Sequence, residues 1–356
     1  MTTQNRGPLR IGIVGVGFGA AVHVPGFLSE GWEVPVLWGR RVERARETAE
    51  RLGVAEVAED WRDLVARDDL DAVAIATPPG AHLEMVTAAL EAGKHVLCEK
   101  PFALDAAEAE QMRALAEAQG RTAMVAHEFR FAPQRAQIKE LLEQGYIGTP
   151  LLVSAELLMG RPAGDPPPLT WNARTAEGGG MLGGLGSHFI DGFRHWFGEI
   201  ATTRGALRTA RPDRTDPATG ALVQADADDT FAFTLEFENG VVVSMTASSA
   251  VSPSQGGCIT ITGSDGVLVA TQRGPNPEPD GVVLAGKSSD RTLEALPVPE
   301  HCRPFEDDRD HRLVAFRLLV REFERGIREG VSPSPSFEDG VRCQEVLDAI
   351  RESARG

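Results

Sequence analysis

Residues 9–20 constrain this chain more than any other stretch. A short apolar run, Leu9-Arg10-Ile11-Gly12-Ile13-Val14, breaks at Gly15-Val16-Gly17-Phe18-Gly19-Ala20 into a segment that can continue as helix from Ala21 to Ser29. An unbroken apolar run suits a buried parallel strand, and strand, glycine turn and helix in that order form the first half of a βαβ unit. Gly15 permits the tight turn, Gly17 lets a phosphate approach the backbone, and the small Ala20 at the third position lets the helix pack close to the strand. A diphosphate would rest on the free N–H groups at the helix start, which makes Gly15, Gly17, Phe18, Gly19 and Ala20 candidate cofactor contacts. A glycine turn between any strand and helix looks similar, so the loop alone leaves nucleotide binding and a plain turn both open.

The pattern repeats down the first third of the chain. Apolar runs at 9–14, 34–38, 72–76, 95–98 and 122–126 alternate with amphipathic stretches at 42–52, 82–92 and 106–119. Alternation of this kind predicts a doubly wound parallel sheet covered on both faces, a Rossmann domain over residues 1-128. Ligands of such sheets gather at the C-terminal ends of the strands. Thr77-Pro78-Pro79, Glu99-Lys100-Pro101 and His127-Glu128-Phe129-Arg130 each follow one of those strands. The second strand runs into Gly39-Arg40-Arg41, roughly twenty residues after the loop, where a dinucleotide fold meets the adenosine ribose. An acidic residue there would accept from the 2′-hydroxyl of NAD, whereas guanidinium groups suit a 2′-phosphate. Gly39, Arg40 and Arg41, with Arg44 nearby, therefore predict NADP(H) in preference to NAD(H). The alternative is a solvated basic start to a charged surface helix.

Beyond Pro150 the period changes. Segments 151–157, 230–238, 241–248, 258–262 and 266–270 alternate or run β-rich, and Asn239-Gly240 between two of them signals a hairpin. With a helix near 187–196 and two terminal helices at 311–328 and 337–353, residues 129-356 read as an α+β domain with a large, mostly antiparallel sheet. The terminal helices are expected to pack back on the first domain. One face of so large a sheet needs covering, which predicts a homodimer or homotetramer through it. Loops at 160–168 and 271–281 are rich in turn residues; the first, just before Trp171-Asn172, is either a pocket lid or a plain connection.

A length of 356 residues leaves room for two domains. The net charge of -16 argues against a nucleic-acid or anionic-membrane surface. No apolar run reaches the roughly 18 residues of a membrane span, and the first residues lack the apolar core of a signal peptide, so a cytoplasmic protein is expected. Four cysteines, Cys98, Cys258, Cys302 and Cys343, are scattered without a paired motif. Neither a disulfide framework nor metal-ligand spacing is present, and no metal is predicted.

Taken in order, these motifs resemble the Gfo/Idh/MocA family of NAD(P)-dependent oxidoreductases, whose members act mainly on sugars, cyclitols and related polyols. The resemblance rests on the glycine loop, on Ala76-Thr77-Pro78-Pro79 with His82, and on Val96-Leu97-Cys98-Glu99-Lys100-Pro101. It continues through Arg130-Phe131-Ala132-Pro133, Gly145-Tyr146-Ile147-Gly148, Gly178-Gly179-Gly180-Met181-Leu182 leading to Gly186-Ser187-His188 with Asp191, and Phe337-Glu338-Asp339-Gly340. It implies that Lys100 lies beside the nicotinamide and acts in proton transfer, and that Thr77, Pro78, Pro79, His82, Glu99 and Pro101 line the cofactor. Glu99 is expected to fix local geometry, and Pro101 to be cis.

One position departs from the family. Its dehydrogenases commonly carry Asp-x-Gly-x-His, and here the Asp position is Gly184 while the His remains as His188. Proton chemistry then rests on Lys100 and His188, with Asp191, three residues on and on the same helix face, as a candidate to orient the imidazole or to serve a structural role. His127, Arg130, Trp171, Asn172 and Asp191 are candidate substrate contacts, although Arg130 and Trp171 suit structural places equally. His23 reads as packing. The expectation is an NADP(H)-dependent oxidoreductase interconverting a secondary alcohol and ketone, or a lactol and lactone, on a sugar-like substrate. Loss of the carboxylate at 184 keeps two alternatives open, a silent dinucleotide- or sugar-binding regulator and an enzyme that recycles a tightly held cofactor.

Overall fold

The computed structural model describes residues 7–160, 164 and 166–355. Of the loop expected at 160–168, Arg161, Pro162, Ala163 and Asp165 lie outside the described residues, as do the first six residues and Gly356. The chain divides into two compact units, residues 1–127 with 316–342, and residues 128–315 with 343–356.

The first unit is built on a six-stranded parallel sheet in the order β3-β2-β1-β4-β5-β6. Its strands are β1 (Arg10–Val14), β2 (Glu33–Trp38), β3 (Glu56–Val57), β4 (Ala72–Ile75), β5 (His95–Cys98) and β6 (Ala123–Val125). All pairings are parallel, and strand order reverses between β1 and β4, the place where such sheets bind ligands. The connecting helices α1 (Val24–Ser29), α2 (Val42–Leu52), α3 (Trp61–Val65), α4 (His82–Glu91) and α5 (Ala106–Ala118) bury their apolar sides. The helix after the glycine loop starts earlier than expected and opens as a wide π-type turn, Gly19–His23, before α1. Pro25 accounts for the widening, because it has no N–H to offer the carbonyl four residues back and its ring would meet that carbonyl.

The second unit opens with α6 (Pro133–Glu143), which sequence reading missed. Its buried face carries Gln134, Arg135 and Gln137 beside Ile138, so no apolar stripe betrays it; Pro133 at its first position is the only local signal. The strands β7 (Pro150–Gly160), β8 (Ile200–Arg208), β9 (Asp213–Thr215), β10 (Leu222–Gln224), β11 (Thr230–Phe237), β12 (Val242–Val251), β13 (Gly256–Gly263), β14 (Gly266–Gln272), β15 (Val283–Lys287) and β16 (Glu294–Leu296) follow, with α7 (Ser187–Phe197) between β7 and β8. Eight of them form one sheet, β16-β15-β14-β13-β7-β12-β11-β8, antiparallel apart from the β7–β12 pair. The Asn239-Gly240 hairpin joins β11 to β12, with Gly240 at φ +87° and the Asn239 side chain donating to the Phe197 carbonyl at 2.9 Å. Along β7 the side chains alternate: Val153, Ala155 and Leu157 enter the core, while Leu152, Ser154 and Glu156 face outward exposed.

The last helices are α8 (Leu313–Glu329) and α9 (Phe337–Ser353). In the first unit Phe316 of α8 packs on Phe27 and His23, and Arg317 and Arg321 both bind Glu30 at 2.6 Å. Phe337 and Val341 of α9 belong to the first core, and Cys343, Leu347 and Ile350 to the second. Among the described residues, no helix is long and apolar enough to cross a membrane.

Candidate active site

The glycine loop is held between the ends of β2 and β4. Gly15 has φ +119°, its N–H donates to the Trp38 carbonyl at 2.8 Å, and a Cβ on it would lie 2.3 Å from the Ala76 carbonyl oxygen. No other residue fits there. At Gly17 an added Cβ would meet nothing within 4 Å, so the backbone stands open to a ligand. A Cβ on Gly19 would stand 3.0 Å from Ile13, so Gly19 packs closely on β1, and the small Ala20 beside it is buried. Phe18 packs edge-on to His23.

Gly39 is fixed by the same loop: a Cβ there would lie 2.6 Å from Val16 Cγ2 and 3.0 Å from Cγ1. Arg40 and Arg41 follow it exposed, and among the described residues neither has an ion-pair partner. The open backbone at Gly17, after β1, fits the phosphates of a dinucleotide, and Arg40 and Arg41 present two exposed guanidinium groups just beyond β2.

Lys100 leaves the C-terminal end of β5 through a cis Lys100–Pro101 bond. Behind it Glu99 is buried, with Oε1 2.8 Å from His23 Nε2 and Oε2 accepting the Lys100 backbone N–H at 3.2 Å. Burial pushes the Glu99 carboxyl upward, but the His23 hydrogen bond and charge, with Lys100, outweigh that and hold it below its ordinary value. Both oxygens of Glu99 are engaged by the protein. His23 is more than packing. It was illegible because its partner is 76 residues away.

His82 takes a bracing place. Fully buried, it sets Nδ1 3.0 Å from the Phe102 carbonyl and Nε2 2.9 Å from the Thr77 carbonyl, tying the loop after β4 to the segment after β5. Burial lowers its pKa despite both carbonyls. Thr77 and Pro78, whose loop it braces, are half-buried, and Pro79 is buried. His127, at the end of β6, is buried, with its N–H on the Val125 carbonyl at 2.8 Å.

In the second unit His188 is the second residue of α7. Its ring stacks on Phe129 at 3.8 Å and 7°, and Nε2 stands 3.9 Å from the Glu128 carboxylate, all three buried. Arg130 and Asp191 meet each other: Nε and Nη2 donate to the two carboxylate oxygens, each at 2.6 Å. This buried fork anchors α7 to the turn carrying Glu128 and Phe129, so the pair orients the His188 surroundings and is not displayed separately as two substrate contacts. Arg135 covers the cluster from α6, over the Phe189 ring at 4.7 Å and the Phe129 ring at 5.7 Å.

The start of the π-type turn Leu182–Gly186, which leads into α7, is set by Asp228, another residue with no local signal. Its carboxylate accepts the Leu182 N–H at 2.8 Å, and its carbonyl accepts the Met181 N–H at 2.9 Å. Burial raises the Asp228 pKa against the pull of the Leu182 N–H. Trp171 and Asn172 form a short turn bolted to the glycine run: the carbonyls of Trp171, Asn172 and Arg174 would stand 2.5–2.7 Å from a Cβ on Gly179, and Gly180 donates to Asn172 at 3.0 Å. Trp171 is half-buried and Asn172 exposed. At Gly184 an added Cβ would meet nothing within 4 Å.

Residues 9–127 match the family described as "Oxidoreductase family, NAD-binding Rossmann fold" and residues 139–356 its "C-terminal alpha/beta domain". A levoglucosan dehydrogenase of Pseudarthrobacter phenanthrenivorans is 31% identical over 379 residues, covering 97% of this chain and 96% of that protein. A solved levoglucosan dehydrogenase in complex with NADH and L-sorbose superposes with a TM-score of 0.88 at 29% identity, over 98% of this chain and 97% of that one. A 3-ketoreductase from Actinomadura kijaniata, in complex with NADP and TDP-benzene, gives a TM-score of 0.75 at 26% identity, over 97% and 98%. With its glycine loop, its Glu-Lys-Pro turn and both domain matches in place, the chain belongs to the Gfo/Idh/MocA family of NAD(P)-dependent oxidoreductases.

Proposed function

We propose that this enzyme is an NADP(H)-preferring oxidoreductase that interconverts a secondary alcohol and a ketone, or a lactol and a lactone, on a sugar, cyclitol or related polyol. The observation that carries the reading is the setting of Lys100. It emerges where ligands of a parallel sheet gather, on a backbone held by the buried His23–Glu99 pair. The sugar-acting relatives, one solved with NADH and a sugar and one with NADP, support the substrate class and both forms of the cofactor.

When bound, the nicotinamide supplies or accepts hydride at the carbinol carbon. The chain's own residues do the rest. Gly15, Gly17, Phe18, Gly19 and Ala20 hold the diphosphate; Arg40 and Arg41, next to Gly39, take the 2′-phosphate. Thr77, Pro78, Pro79 and Pro101 line the cofactor, with His82 and Glu99 as positioning residues. Lys100 gives or takes the hydroxyl proton, and His188, oriented by Phe129 and the Arg130–Asp191 fork, shares that task. His127, Trp171 and Asn172 contact the sugar. On this reading residues 1-128 serve the cofactor, and residues 129-356 serve the substrate and self-association through the outer face of the large sheet, where Leu152 is 48% exposed. Light scattering that returns a monomer would remove the last point.

The test follows reduced nicotinamide by absorbance over a panel of sugars and cyclitols. Lys100→Ala should abolish turnover while NADPH affinity stays within about tenfold, or 1.4 kcal/mol. A Lys100→Ala protein at full rate would rule out Lys100 as the proton carrier.

A further inference from the structure

Glu140 on α6 meets the short turn Glu300–Cys302 in the second unit, and neither element contains a residue proposed above for cofactor or substrate. His301 Nε2 lies 2.7 Å from Glu140 Oε1, and Cys302 Sγ lies 3.5 Å from the same oxygen. One donor atom from each of the three residues falls within 4.8 Å of the others. Imidazole, thiolate and carboxylate are the three donor types that zinc accepts, and their mixture is softer than any site magnesium or calcium would choose.

We propose that Glu140, His301 and Cys302 form a zinc site with three protein ligands and a water in the fourth position. Bond lengths of about 2.0 Å to nitrogen and oxygen and 2.3 Å to sulfur, in a tetrahedron, put donor atoms about 3.3–3.6 Å apart. The sulfur–oxygen separation of 3.5 Å is already of that size, and the histidine–carboxylate contact of 2.7 Å opens by well under 1 Å. The exposed His301 ring leaves room for the ion to arrive and for a water to complete the shell, while buried Cys302 fixes one corner. The turn is already laid along α6, because Gln137 donates to the Pro297 carbonyl at 2.9 Å, one helical turn before Glu140. On binding, the thiol gives up its proton to solvent, the His301 ring passes its Nε2 proton to solvent and keeps or takes one on Nδ1 as the neutral tautomer, and the histidine–carboxylate hydrogen bond is exchanged for two metal bonds. The ion then clips the 300–302 turn to the helix whose Arg135 covers Phe129. Spacing in the sequence could not reveal the set, because Glu140 and His301 are 161 residues apart.

The test uses the full-length protein, stripped with a chelator and titrated with cobalt(II), then with zinc. The expected result is one equivalent of cobalt giving the intense visible bands of a tetrahedral ion and a near-ultraviolet thiolate charge-transfer band, both discharged by zinc. Cys302→Ser should remove the charge-transfer band, and His301→Ala and Glu140→Gln should each weaken binding at least tenfold, with metal-free far-ultraviolet spectra unchanged. Zinc should raise the melting temperature of the parent protein and leave that of Cys302→Ser where it was. A charge-transfer band that survives Cys302→Ser, a spectrum of octahedral type, or affinity indifferent to His301 and Glu140 would each overturn the site.

Discussion

A carboxylate cannot be placed at the end of β2 without first moving the glycine loop. A Cβ at position 39 would sit 2.6 Å from Val16 Cγ2 and 3.0 Å from Cγ1, with Ala45 Cβ at 3.4 Å. Carbon atoms in ordinary contact stand about 3.5–4.0 Å apart, so Gly39→Asp must push Val16 by roughly 1 Å. Overpacking of that kind costs about 1–3 kcal/mol. Val16→Ala removes both offending methyl groups, so the double variant should recover at least half of the loss, a favourable coupling of about 1 kcal/mol. Followed by thermal denaturation, Gly39→Asp alone should melt roughly 2–12 °C below the parent, at about 2–4 °C per kcal/mol for a unit of this size. The double variant should melt clearly higher than the single one and, with a carboxylate now facing the ribose, should bind NADH better relative to NADPH by about tenfold, or 1.4 kcal/mol. A Gly39→Asp protein that melts with the parent, or a Val16→Ala change that gives no rescue, would refute the contact from which the reasoning starts.

Three further outcomes are expected. Asp191→Ala leaves the buried Arg130 guanidinium without its fork and should cost about 3–5 kcal/mol in urea denaturation, whereas Arg130→Met with Asp191→Leu should recover most of it; a single-variant loss below about 1 kcal/mol contradicts the anchoring role. Gly184→Asp meets no steric obstacle, so its melting point should stay within a few degrees and sugar turnover should change; an insoluble or unfolded variant would show that the position is closed. His95 accepts the Thr122 N–H at 3.0 Å, and burial, with the charge of Arg121, lowers its pKa to about 4. An unfolded imidazole titrates near 6.5, so its contribution to stability is complete above about pH 6.5 and is lost as the pH falls through 4. His95→Gln should flatten the pH dependence of stability over that window, and an unchanged slope would place the effect elsewhere.

What could be read from the sequence was what is local. Five strands of the parallel sheet, β1, β2, β4, β5 and β6, are short and mainly apolar, and the Asn239-Gly240 turn carries its own geometry, so these were legible, whereas the two-residue β3, with Glu56 exposed, was not. The glycine loop was legible in kind but not in detail, since only the approach of Ile13 shows that Gly19 also bears close packing. α6 was hidden because its buried face is Gln134, Arg135 and Gln137, and β8 because Thr203 and Gly205 stand at inward positions where an apolar side chain would mark the period. The supports of the site are pairs far apart in the chain. His23 meets Glu99 across 76 residues, Arg130 meets Asp191 across 61, and Leu182 meets Asp228 across 46. Neither propensity nor spacing carries such pairings, and Asp191, readable as a neighbour of His188 on one helix face, turned out to hold Arg130.

The most direct test of the account is calorimetric titration of the cofactor-free protein with NADPH and with NADH, repeated on Arg40→Asp with Arg41→Ala. NADPH should bind the parent protein more tightly than NADH does and lose about tenfold per guanidinium, roughly 1.4 kcal/mol each, in the variant, with NADH affinity nearly unchanged. Equal affinity for the two cofactors in the parent, or a preference untouched by the double substitution, would contradict the phosphate clamp; no binding of either would contradict the reading of the glycine loop itself.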